Sequence, residues 1–477
     1  MSLHDVAQLH LVLISHTNAG KTTLARTLVG MDVGEVRDAP HVTTTSDSHP
    51  LLASPAGDTL LLWDTPGFGD SVRLARRLAH ADNPIGWLLR EVVDRYRDRP
   101  FWLSQQALRT AREAADVVLY LVNSSEDPED AGYLDAEMKV LDWLGKPVMV
   151  LLNQMGPPRP AADEQAEQER WRRGLAAYPA VREVIPLDAF ARCWVHERVF
   201  YDAIGALLPA EKQAAHARLT AQWEQDNQAR FKAAMELVAE QIGAAARDSE
   251  PLSASGRPML ETVARAVGLG ERAGARSEDR AMTALTARLE QSIAASTAGL
   301  LLLHKLDSGA ASTINERVRN AYVVRTPVDA KQAGLLGAVV SGAASGLSAD
   351  LLSGGLSFGA GALLGGIVGA LTFAGAAWTF NTSTGRNVST VQFSDEFLRS
   401  LVLAGLLRYL AVAHFGRCRG GFVESEAPAF WQAEVERQVA GHAAGLLPSM
   451  RGDAAALASL LQTIMAAVLE QLYPRRK

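Results

Sequence analysis

Apolar runs of strand length recur at Leu9–Ile14, Leu60–Trp63, Val117–Val122 and Pro147–Leu152, separated by polar and helix-compatible segments such as Thr23–Leu28. That alternation predicts an α/β domain over residues 1–208, built on a doubly wound, mostly parallel sheet. Beyond it the pattern changes to helical periodicity. Ala210–Arg247 reads as one long helix with Leu219, Trp223, Phe231, Met235, Val238 and Ile242 on an apolar stripe, opened by Pro209 and closed before Pro251. Further helices are predicted over Glu278–Leu306, Asp395–Phe415, Ala429–Leu446 and Asp453–Leu472, so residues 209–330 and 387–477 form an all-α body.

Between those helical parts lies a stretch of another kind, residues 331–386. Gln332–Ala349 and Leu351–Gly385 carry no charge, and Asp350 stands between them. Gly361, Gly365 and Gly369 repeat at the spacing of one helical turn, which lets two helix backbones approach closely. As helices the arms would be about 25 Å and about 35 Å long, so both could cross a hydrocarbon core of about 30 Å, the first barely. Lys331 and Arg386 flank the stretch, which would keep both ends on the cytoplasmic side. The expectation is a glycine-rich apolar hairpin that inserts in a membrane; the alternative is a buried hairpin in a soluble bundle.

The chemistry is concentrated near the start. Leu9–Ile14 runs into Ser15-His16-Thr17-Asn18-Ala19-Gly20-Lys21-Thr22, one residue away from G-x-x-x-x-G-K-[ST], and Thr23 continues as helix. Backbone N–H groups from Asn18 to Thr23, at the positive end of that helix, would cradle phosphate oxygens. Lys21 would reach the β- and γ-phosphates and Thr22 would bind Mg²⁺. Ser15 replaces the first glycine of the pattern, which a negative φ permits. Thr43-Thr44-Thr45 follows in a polar loop, where Thr44 or Thr45 would complete the Mg²⁺ shell. The run Leu60–Trp63 ends in Asp64-Thr65-Pro66-Gly67, where Asp64 would act on Mg²⁺ through water and the Gly67 N–H would sense the γ-phosphate.

The base-binding residues are less regular. After Pro147–Leu152 comes Asn153-Gln154-Met155-Gly156, where guanine-binding proteins have Asn-Lys-x-Asp. Asn153 and Gln154 would lie at the base, but Gly156 offers no acceptor for guanine, which leaves GTP against ATP open. Asp188 is a further candidate for base contact. An insertion over about residues 71–113, rich in arginine, suggests helices that follow the γ-phosphate loop.

Taken in order, Ser15–Thr22, Thr43–Thr45, Asp64–Gly67 and Asn153 resemble the small GTPases of the translation-factor-related class, nearest to the Era and tRNA-modification branch. The whole chain resembles a bacterial family that joins such a domain to a long C-terminal domain of unknown function. The resemblance implies a Mg²⁺-dependent GTPase that cycles between GTP and GDP. Asn18 occupies the place where that branch binds K⁺, an ion that assists hydrolysis when two G domains meet face to face. Phe68 stands where related enzymes orient water with glutamine, which implies slow hydrolysis. The expected function is a membrane-associated molecular switch on the cytoplasmic side of the inner membrane. The alternative is a soluble, cytoplasmic nucleotide-binding scaffold with negligible hydrolysis.

Composition narrows the partners. A formal net charge of −6 gives no electrostatic footprint for nucleic acid. Two cysteines build no disulfide framework, and the first residues lack the pattern of a secretory signal. Eleven histidines show no metal-ligand spacing.

Overall fold

Along the first strand, Leu9, Leu11 and Leu13 turn to one face and Val12 and Ile14 to the other, and all five are fully buried. A strand covered on both sides belongs at the centre of an α/β sheet, and the computed structural model places it there. Residues 6–16, 19–29, 47–68, 71–79, 98–155, 159–187, 194–251, 270–305, 378–382, 389–414 and 429–473 are described. The chain divides into two compact units, the first built mainly from Met1–Gln228 and the second from Ala229–Ala413 with Gly421–Pro474.

In the first unit β1 (Gln8–Ser15) and α1 (Lys21–Val29) are followed by β2 (Asp47–Ala53), β3 (Thr59–Asp64) and α2 (Ser71–Ala79). Next come α3 (Arg99–Ala114), β4 (Val117–Asn123), α4 (Leu134–Leu144), β5 (Val148–Asn153), α5 (Ala161–Gly174), β6 (Val181–Pro186) and α6 (Trp194–Leu207). The six strands are ordered β2-β3-β1-β4-β5-β6. All pairings are parallel except β2 with β3. The antiparallel β2 carries Pro50 beside a break in register, and proline is tolerated at an edge because it has no N–H to give a ladder.

Two apolar layers cover the sheet. One joins Leu11, Leu24, Phe200, Ile204 and Leu219; the other joins Val12, Phe68, Leu74, Leu108, Met138 and Trp171. Helices α2 and α3 lie between β3 and β4, and Asp98 caps α3 by accepting from the Phe101 N–H at 3.3 Å.

The long helix α7 (Ala210–Arg247) has the bounds its stripe and flanking prolines predict. It is followed by β7 (Glu250–Pro251), α8 (Gly270–Leu303), β8 (Trp378–Thr382), β9 (Ser389–Phe393), α9 (Asp395–His414), α10 (Ala429–Gly441), α11 (Ala443–Arg451) and α12 (Ala454–Leu472). In the second unit Met235, Val238, Ile242, Leu285, Leu401 and Tyr409 are buried. Gly405 of α9 lies so close to α7 that a Cβ there would come within 2.9 Å of Val238. The Arg408 guanidinium is buried as well and donates to Gln241 Oε1 at 2.6 Å and to Ser296 Oγ at 3.2 Å.

Several elements differ from the sequence expectation. Trp378–Thr382, placed by composition in the second apolar arm, is a strand paired antiparallel with Ser389–Phe393. Its aromatic and β-branched residues favour the pleated conformation over a helix. Residues 332–377 lie outside the described residues. The helix expected over Ala429–Leu446 is two helices, divided at His442 after Gly441. Neither β2 nor the small sheet β7-β9-β8 was expected from the hydrophobic pattern.

Candidate functional site

The parallel strands deliver their C-terminal ends to one rim of the sheet. There β1 ends at Ser15 and β3 at Asp64, in adjacent strands with Leu13 opposite Asp64. Ser15 is buried as the last strand residue, and among the described residues only Gln154 and Lys305 are non-glycines with positive φ. Serine in place of the usual glycine is therefore unstrained. Gly20 is the position that needs a glycine. Its φ is +86°, and a Cβ there would meet Asn153 Nδ2 at 2.7 Å.

Lys21 and Thr22 open α1 and face Asp64. Lys21 Nζ donates to Asp64 Oδ1 at 2.9 Å and Thr22 Oγ1 to Asp64 Oδ2 at 3.3 Å. Both members of the ion pair are buried, with side-chain exposures of 8% and 5%. Thr65 Oγ1 donates to the Leu13 carbonyl at 2.8 Å, which ties the start of the loop carrying Gly67 to β1. The Phe68 N–H donates to the Ser15 carbonyl at 3.0 Å. The Phe68 ring is fully buried in the apolar layer, so it presents no group to water.

Asn153 is buried, and its Nδ2 donates to the Ala19 carbonyl at 3.0 Å. It thus links the end of β5 to the loop before α1. The following residue, Gln154, is exposed and holds φ +58°, a left-handed conformation costly for a side-chain-bearing residue. Of the remaining predicted residues, Ala19, Thr23 and Gly67 lie on this rim, whereas Asn18, Thr44, Thr45 and Asp188 lie outside the described residues.

One cluster beside the loop is required by none of the sequence motifs. His16 Nδ1 lies 2.6 Å from Glu137 Oε1, and the Tyr120 hydroxyl donates to the other carboxylate oxygen. The His16 ring stacks on Tyr133 at 4.0 Å and 15°. Burial disfavours the imidazolium, but the bond and charge of Glu137, with the charge of Glu126, outweigh it and raise the His16 pKa above 6.5. Burial, with the neighbouring Glu137 carboxylate, pushes the Tyr120 hydroxyl far up. The available signal was an acid on an apolar stripe, between Leu134, Met138 and Leu141 of α4.

The donor set suits a Mg²⁺-bound polyphosphate. An ammonium, a hydroxyl, a carboxylate and the N-terminus of α1 converge, and the glycine at position 20 lets Asn153 pack directly against the loop.

Residues 10–154 match the family model described as 50S ribosome-binding GTPase, and residues 177–469 match the model of a domain of unknown function, DUF3482. No curated protein matches. Among solved structures the chain is similar to an Era variant from Aquifex aeolicus bound to GDP and AlF4⁻. Identity is 17%, over 56% of this chain and 87% of that one, with a TM-score of 0.29. A second is Era in complex with MgGDPNP and nucleotides 1506–1542 of 16S ribosomal RNA, at 16% identity over 59% and 90% of the two chains, TM-score 0.31. A third is a GTP-binding protein from Sulfolobus solfataricus in complex with GDP, at 18% identity over 38% and 47%, TM-score 0.24.

Proposed function

Because the chain belongs to the DUF3482 family and carries a GTP-binding GTPase domain ahead of that family's segment, we propose that it is a slow, Mg²⁺-dependent molecular switch. The observation that carries this reading is the buried Lys21–Asp64 pair with Thr22 on the same carboxylate. Two ions held against each other in a low-dielectric rim are ready to exchange partners, the lysine for phosphate and the aspartate for the metal shell.

In this reading Lys21 holds the β- and γ-phosphates, and backbone N–H groups from Asn18 to Thr23 surround them. Thr22 and Asp64 hold Mg²⁺, with Thr44 or Thr45 closing over it. The Gly67 N–H reports on the γ-phosphate, and its loop is anchored to β1 through Thr65. Asn153 keeps the phosphate loop in register with β5, while Gln154 and Asp188 serve the base. When bound, the nucleotide and Mg²⁺ supply the transferable phosphoryl group and the cation that neutralises its charge. The buried Phe68 leaves the attacking water unoriented, which supports slow turnover. Asn18 as a K⁺ ligand, with two G domains face to face, would supply the missing charge.

Phosphate release measured with Mg²⁺ in K⁺ and in Na⁺ tests this mechanism. Slow release that rises in K⁺ and vanishes in Lys21→Ala is expected. Release that persists in Lys21→Ala contradicts the site, and equal rates in both salts remove the K⁺ role.

Attachment to the cytoplasmic face of a membrane through residues 332–385 is the location we propose, supported by the uncharged run there. Two described helices are also long and apolar, Asp395–His414 and Ala454–Leu472; the first is 72% buried within the protein, as a core helix would be. The net charge of −6 gives no electrostatic footprint for nucleic acid. Recovery in the membrane pellet, released by detergent and not by salt, is the expected result; a supernatant protein contradicts it.

A further inference from the structure

We propose that Glu137 is a positioning residue for the nucleotide: through His16 it fixes the entrance of the phosphate loop in its binding geometry. The proposal rests on the reading of that loop as a nucleotide site.

Glu137 is fully buried on α4, where a carboxylate is costly and a leucine or methionine would continue the apolar stripe. Its two oxygens are both engaged, one by His16 at 2.6 Å and the other by the Tyr120 hydroxyl. Tyr120 is itself buried on β4. One face of the imidazole is covered by the Tyr133 ring, stacked at 4.0 Å. His16 is thus gripped by Glu137 of α4 and by Tyr133 at the start of that helix, although it is only half-buried and lies next to Ser15, the last residue of β1.

The backbone explains why that grip matters. His16 pairs with Phe68 as an isolated parallel bridge, and the Phe68 N–H donates to Ser15. The phosphate loop and the segment that follows Gly67 therefore meet at His16, and Glu137 holds the meeting point from α4. The Glu137 carboxylate is engaged by His16 and Tyr120, so its action on bound phosphate runs through the position of the loop. Because that loop surrounds the α- and β-phosphates, a shifted entrance should weaken GDP and a γ-phosphate analogue alike.

The test measures Kd for GDP and for GDPNP, both with Mg²⁺, on the full chain, together with the melting temperature without nucleotide. Glu137→Gln keeps the shape and removes the charge; His16→Ala removes the other partner from a half-exposed site. Each should weaken both ligands about tenfold, and the double variant should lose no more than either alone, as expected for two groups acting as one unit. The melting temperature of His16→Ala should stay near wild type. Equal binding in either single variant, additive losses in the double variant, or a loss that merely follows the melting temperature would overturn the proposal. Wild-type protein that binds neither ligand, or Lys21→Ala that binds both normally, would instead defeat the nucleotide reading itself.

Discussion

The two ends of the first unit's sheet carry the same chemistry with opposite consequences. At the C-terminal ends of the strands, Lys21 with Asp64 and His16 with Glu137 join the phosphate loop to its neighbours. At the other end, Asp58 ahead of β3 accepts from Arg218 at 2.7 and 2.8 Å, from Ser54 Oγ and from the Ala7 N–H. Asp116 ahead of β4 accepts from Lys212 at 2.7 Å and from the His10 N–H at 2.8 Å. Arg218 and Lys212 both come from α7, so these pairs fasten the first turns of the long helix to the sheet. In the proposed reading the Lys21–Asp64 pair exchanges its partners for a ligand, while the His16–Glu137 pair and the pairs at the other end hold the fold.

The sharpest way to separate the two ends is Lys21→Ala, which should reduce nucleotide affinity at least about 100-fold, about 2.7 kcal/mol, with a native circular-dichroism spectrum. Gly20→Ala comes next. With φ at +86° and Asn153 Nδ2 at 2.7 Å from the new Cβ, isothermal titration should show affinity reduced about tenfold or more. At the opposite end Arg218→Ala should lower the urea-unfolding midpoint, because buried Asp58 loses its cation, while the Kd for GDP stays unchanged. Its guanidinium holds the Asp58 pKa down at about 2, against 3.8 ordinarily. Stability from that group is therefore present above the ordinary carboxylate range and lost as pH falls through about 2; Arg218→Ala should flatten this acid limb. Lys212→Ala, at a partly exposed pair, should cost about 1 kcal/mol or less. A nucleotide effect from Arg218→Ala would break the comparison.

Much of this was legible in the residues because local causes fix it. Alternate burial of Leu9 through Ile14 sets β1, and Pro209 with a periodic stripe sets α7. Gly20-Lys21-Thr22 and Asp64 are recognisable because they stand at the spacing of a phosphate-binding motif and its partner. What stayed hidden depends on partners distant in sequence. The edge strand β2 contains Pro50 and reads as loop until β3 lies beside it. Trp378–Thr382 is apolar enough for a helical arm and becomes a strand only against Ser389–Phe393. Glu137 meets His16 across 121 positions, and Asn153 meets the Ala19 carbonyl across 134. No periodicity encodes such pairs.

Thermal unfolding of the full chain with Mg²⁺ and GDP, against Mg²⁺ and ADP, tests the central claim most directly, because a ligand stabilises only the state that binds it. A rise in melting temperature with GDP, growing with concentration, absent with ADP and abolished in Lys21→Ala, is the predicted result. A melting temperature unmoved by GDP at any concentration would contradict the account.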